Sequence, residues 1–152
     1  MNIVKQINQY NNNNIFYCDP IKNNIMNDGF FIRIIYSTPH FSLNGISLLI
    51  ELNDFFCEKY YNKYKCIFNT TIHNELIEQI KIIEENILKN ANLKKKIPQY
   101  KIYEQLKNGS FKIITDIHKM TNNLFMLKIS GIWENDTEYG LTYKFIKLSN
   151  PN

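Results

Sequence analysis

"KYKCIFNTTIHNELIEQIKIIEENILKN", residues 63–90, changes its period halfway along. The first part alternates. Tyr64, Cys66 and Phe68 fall on one side of an extended chain and Lys63, Lys65 and Ile67 on the other, which predicts a strand over 63–69. Ile72, Leu76, Ile80, Ile83 and Ile87 then recur at helical spacing and predict a helix over about 71–91. Thr70 or Thr71 can accept from its first free backbone N–H groups. Glu75 suits the positive end of the helix dipole, and Lys89 with Lys94, Lys95 and Lys96 suits the negative end. Glu84 and Glu85 fall on the polar side, and His73, in the first turn, is expected to face solvent. Pro98 stops or bends what remains.

The elements on either side place that helix. Upstream, "FFIRIIYS" (30–37) alternates with Phe30, Ile32, Ile34 and Tyr36 on one side, and "ISLLIEL" (46–52) alternates with Ile46, Leu48, Ile50 and Leu52 together. "TPHFSLNG" between them is turn-rich, and "NDFFCEKYYN" carries the chain round to Lys63. Downstream, "IPQYKIYEQLKNG" (97–109) reads as a short helix ending at Gly109, with an extended connection as the alternative. Strands follow at 110–117, 124–134 and 140–148. Three strands, one prominent helix and then more strands describe a mainly β fold. An OB-like Greek-key barrel with the helix between its third and fourth strands is the leading architecture. An α+β arrangement, an antiparallel sheet with a helix on one face, is the alternative.

The chain has 152 residues, 44% of them hydrophobic, which suits one globular domain. The domain is read as 29–149, after a polar Asn-rich arm over 1–28 whose "IFYC" (15–18) can dock, and before a tail at 150–152. The three cysteines, Cys18, Cys57 and Cys66, are odd in number and widely spaced, which points away from a secreted disulfide framework. No apolar run is long enough to span a membrane, and the N-terminus lacks a signal-peptide pattern. The expectation is a reduced, intracellular protein, not membrane-bound.

Enzymatic chemistry finds little support. The five glycines are scattered, no phosphate-binding loop or nucleophile elbow appears, and His40, His73 and His118 have no nearby nucleophile. No Cys/His group has zinc spacing, and "END" (134–136) with Glu138 reads as a polar turn. The expectation is a protein that is not an enzyme and has no cofactor or metal. The net charge of +4 and the 14% aromatic share fit another chemistry. Single-stranded nucleic acid needs cations along its phosphates and flat side chains against its bases. Arg33, Lys63, Lys65, Lys128 and Lys144 are the phosphate candidates, and Tyr61, Tyr143 and Trp133 the stacking candidates. Lys128 and Lys144 are expected to share the outside. The pleat sends Tyr143 to the side opposite Lys144, and core packing is favoured for Trp133. AT-rich codons would produce much of the Asn, Ile, Lys and Tyr content, so position carries more weight than number.

"GIWENDTEYGLTYKF" (131–145) puts a tryptophan-bearing strand and a polar turn before Gly140, Leu141 and Thr142. This resembles the closing hairpin of OB-fold single-stranded DNA-binding proteins of nucleocytoplasmic large DNA viruses. "FIRIIYSTPHFSLNGISLLIEL" (31–52) is similar to proteins of the same viruses. The resemblance implies single-stranded DNA as partner, RNA being the other choice, with a role in viral replication or repair in the host cytoplasm or nucleus. A homo-oligomer is compatible with it. The final "IKLSNPN" is not acidic, so the resemblance does not extend to the acidic tail that contacts replication partners in many of those proteins. The competing reading is a protein-interaction or structural virion component that does not bind nucleic acid.

Overall fold

Strand β10 (Leu124–Glu134) organises the sheet. Along one edge it pairs antiparallel with β11 (Glu138–Lys147) over its whole length. Along the other edge it serves two partners in turn, β5 (Ile46–Glu51) up to Ile129 and β3 (Gly29–Ser37) from Gly131. The register slips between Ile129 and Gly131, leaving a bulge at Ser130. Only glycine fits at 131. A Cβ there would lie 2.3 Å from the Ile32 carbonyl oxygen and 2.7 Å from the Phe31 ring.

The computed structural model describes residues 4–23, 29–113 and 122–148. The expected strand at 110–117 is observed as β9 (Ser110–Ile113), and its remainder, His118 and the tail at 150–152 lie outside the described residues. From β11 the sheet continues through β9 to β7 (Lys63–Phe68) and ends at β6 (Phe55–Tyr60). From β3 it ends at β1 (Ile15–Tyr17). The short strands β2 (Ile21–Asn23) and β4 (Ser42–Asn44) pair with β3, and β8 (Ile97–Gln99) pairs parallel with β11.

The fold is mainly β, as the alternating segments predict. It does not close into the expected barrel among the described residues, because β1 and β6 at the ends of the path do not pair. The short β9 stands between β7 and β11 and meets β11 in one parallel bridge, Phe145 to Ile113. The sheet is therefore open and mixed rather than antiparallel. Helices α1 (Asn74–Asn90) and α2 (Lys101–Lys107) bury their apolar sides in one core with the inward residues of the strands.

The segment 53–62, read as a connection, contains β6, joined to β7 by a tight turn at Tyr61. As an edge strand β6 exposes both sides, so its sequence shows no clean alternation. Its Cys57 stands opposite Cys66, Cα atoms 4.2 Å apart, and the two form a disulfide. Their wide spacing in sequence hid this, because only the hairpin register brings them together. The described part of the segment read as an arm, residues 4–23, packs on the sheet through more than the expected "IFYC". Lys5 bridges to β5, its Nζ lies 4.9 Å from the Tyr36 ring centroid, and the Asn11 N–H donates to the Tyr36 hydroxyl.

Helix α1 departs from expectation in three places. Its buried stripe is Ile77, Ile80, Ile83, Ile87 and Leu88, while Ile72 precedes the helix and is exposed. The turn before it is held by Asn69, whose side chain accepts from the Thr71 and Ile72 N–H groups, rather than by a threonine cap. His73 is buried, not solvent-facing. Its Nε2 accepts from the Asn53 N–H at 3.0 Å and its Nδ1 reaches the Asn69 carbonyl at 2.6 Å, which fixes a neutral tautomer with the proton on Nδ1.

Glu84 is also buried rather than in water. Its carboxylate accepts from the Ile102 and Tyr103 N–H groups at the start of α2, a helix whose own N-cap residue, Tyr100, supplies no side-chain bond. Burial pushes its pKa up to about 7, the two backbone N–H groups pull it down, and Glu104 and Glu85 add to the rise.

Candidate nucleic-acid interface

The pleat sorts each strand into an inward and an outward set. On β11, Tyr139, Leu141, Tyr143 and Phe145 point inward and Gly140, Thr142, Lys144 and Ile146 outward. On β10 the outward set is Met126, Lys128, Gly131 and Trp133, the bulge keeping parity with β11. Register carries the same side to Phe31 and Arg33 on β3, Lys112 on β9, Lys63 and Lys65 on β7, and Phe56, Glu58 and Tyr60 on β6. The helices pack on the inward side. Five of the six cations on the outward side are sequence candidates: Arg33, Lys63, Lys65, Lys128 and Lys144. Lys112 was missed, although alternation in "SFKI" sets it opposite the buried Phe111 and Ile113.

Two like-charged pairs stand directly across the ladder, Lys128 opposite Lys144 and Lys65 opposite Lys112. Such pairs are unfavourable in a sheet. The ion pairs among the described residues, Lys96–Glu134 at 3.0 Å and Lys101–Glu104 at 3.8 Å, lie elsewhere. Glu58 is opposite Lys65 in register without closing an ion pair. Lys128 and Lys144 thus share the outside, as expected.

Aromatic rings border these cations. Trp133, favoured for the core from sequence, is on the outward side instead, half-buried because it lies across Gly140. A Cβ at Gly140 would be 2.8 Å from its ring. Gly140 sits within β11 and serves no turn; the two glycines of the closing hairpin floor a strip on which the Phe31 and Trp133 rings rest. Tyr60, missed in the sequence, has Lys112 Nζ 5.2 Å from its centroid. Tyr61 stands at the hairpin tip at φ +58°, 83% exposed and edge-on to Tyr60. Tyr143 is not on the outward side, and burial, followed by Glu84 and Glu104, pushes its hydroxyl up to about 12.

A cleft of about 550 Å³ opens beside the Phe145–Ile113 bridge between β9 and β11. Lys63, Gln105, Lys112, Tyr143, Lys144, Phe145 and Ile146 line it. Tyr143 therefore meets Lys63 and Lys144 here. The Gln105 Oε1 is buried without a hydrogen-bond partner. Its position in a short helix gave no signal in sequence.

Around "END", Glu134 pairs with Lys96, and the Asn135 amide oxygen accepts from the Thr137 and Glu138 N–H groups, forming the polar turn. Among the described residues no group of three His, Cys, Asp or Glu could hold a metal ion, and no helix is long and apolar enough to cross a membrane. No family model, curated protein or solved structure matches the chain.

Proposed function

We propose that the protein binds single-stranded nucleic acid, DNA by preference, along the outward side of its sheet, and does so without catalysing a reaction. One observation carries this reading. Six cations share a surface with Phe31, Trp133 and Tyr60, and four of them form like-charged cross-strand pairs on which no ion pair among the described residues closes. A fold gains nothing from such pairs, whereas a polyanion crossing them neutralises both at once. The rings beside them supply flat surfaces for bases, each stacked base contributing about 1–3 kcal/mol. We read the strand–helix–strand order as an opened variant of the OB arrangement, and a role in viral replication or repair follows from the closing-hairpin resemblance.

The test is fluorescence anisotropy of a labelled mixed-sequence single strand titrated with protein at several salt concentrations, with the duplex as competitor. Contacts from all six cations would give a slope of log K against log salt of about −4, at about −0.7 per phosphate contact. Binding that ignores salt, or none at low salt, refutes the proposal. A second reading is favoured by β6. This edge strand is paired on one side only and leaves Phe56 and Tyr60 half exposed or more, which suits edge-to-edge association in a protein assembly. A stable oligomer with no strand affinity would select it.

A further inference from the structure

We propose that the cleft between β9 and β11 is a pocket for a phosphate monoester, carried by the end of a nucleic-acid strand or by a free nucleotide. The inference rests on the strand-binding reading for the placement of the rest of a strand, but the pocket stands on its own geometry. Lys63, Lys112 and Lys144 reach it from three different strands, and among the described residues no carboxylate lines it. The ion pairs among the described residues lie elsewhere.

The remaining polar groups can also donate. The Tyr143 hydroxyl is held protonated by burial. The Gln105 carboxamide lines the cleft with its Oε1 buried and unbonded, and its terminal torsion is soft, so its NH₂ is free to turn toward an oxygen. The two acids that act on Tyr143 have partners of their own: Glu104 pairs with Lys101, and Glu84 accepts from the Ile102 and Tyr103 N–H groups.

Charge selects the ligand. A phosphodiester within a strand carries one negative charge, whereas a monoester carries about −1.5 to −2 near neutral pH, the better match to three ammonium groups. Size agrees, since about 550 Å³ is room for a nucleotide rather than a bare anion.

The experiment compares internally labelled single strands ending in 5′-phosphate, 3′-phosphate or hydroxyls at both ends, with thymidine monophosphate and inorganic phosphate as competitors. The variants are Lys112→Gln and Lys144→Gln, with their folding checked by circular dichroism. One terminal phosphate is expected to tighten binding by about tenfold, the scale of a charge-assisted contact, and that increment should vanish in both variants. Competition by thymidine monophosphate even without strand affinity would support the pocket while discarding the strand reading. Equal affinity for all three ends, with no competition by the mononucleotide, would overturn the pocket and leave strand binding intact. An increment that survives both substitutions would also overturn it.

Discussion

Replacing Lys144 with glutamate should make the protein more stable and a poorer strand binder at once. Lys144 stands directly opposite Lys128 on the outward side, so the substitution turns a repelling pair into an attracting one. Opposite charges across a ladder contribute about 0.2–1 kcal/mol and like charges cost a similar amount, so the swing is about 0.5–2 kcal/mol. For a domain of this size that corresponds to a rise in Tm of roughly 1–8 °C. Lys112→Glu, opposite Lys65, should behave alike. Each variant should also lose affinity and flatten the salt slope by at least about 0.7. Differential scanning fluorimetry and anisotropy at several salt concentrations read the two effects on the same samples. A fall in Tm would refute the cross-strand account of these pairs. An unchanged salt slope would refute their role in binding.

Three further outcomes are expected. Because Glu84 binds its proton more tightly folded than unfolded, stability should be highest below about pH 4.5 and fall as pH rises through 7, by up to about 3 kcal/mol; chemical denaturation should show this window in the native protein and a flatter profile in Glu84→Gln. Gly131→Ala should destabilise by about 3 kcal/mol or more, because its Cβ meets backbone, whereas Gly140→Ala meets the movable Trp133 ring and should chiefly shift tryptophan emission, both readable by urea melts followed by fluorescence. Thiol titration of the denatured, unreduced protein should find one cysteine, Cys18, and three after reduction, with loss of the Cys57–Cys66 bond lowering stability by about 2–3 kcal/mol for so short a loop.

Strongly periodic segments were legible in the sequence. β10 runs over Leu124–Glu134 as its alternation implies, and α2 ends where Gly109 takes up φ +76°. Five outward cations could be named because strand parity is a local property. The misses came from partners distant in sequence. Nothing near Glu84 announces that α2 will need its carboxylate, and nothing near His73 announces the Asn53 N–H. Trp133 was assigned inward by size, yet its side is set by the bulge at Ser130 and by the absence of a side chain at Gly140. Tyr61 and Tyr143 illustrate the same limit. Residue type suggested stacking for both, while one projects from the hairpin tip and the other turns toward the helices and the cleft.

The double partnership of β10 has a consequence during synthesis on the ribosome. Glu51 must wait for Leu124, and Arg33 for Gly131, before their strands gain this neighbour. At about 5–20 residues per second, β3 emerges roughly 5–20 s before the segment that covers its edge. Throughout that interval β3 and β5 each present an uncovered row of backbone groups beside apolar side chains, a template for mispairing with another nascent chain. Cotranslational shielding of these two strands, rather than the strength of the finished sheet, would then set how much protein reaches the native state.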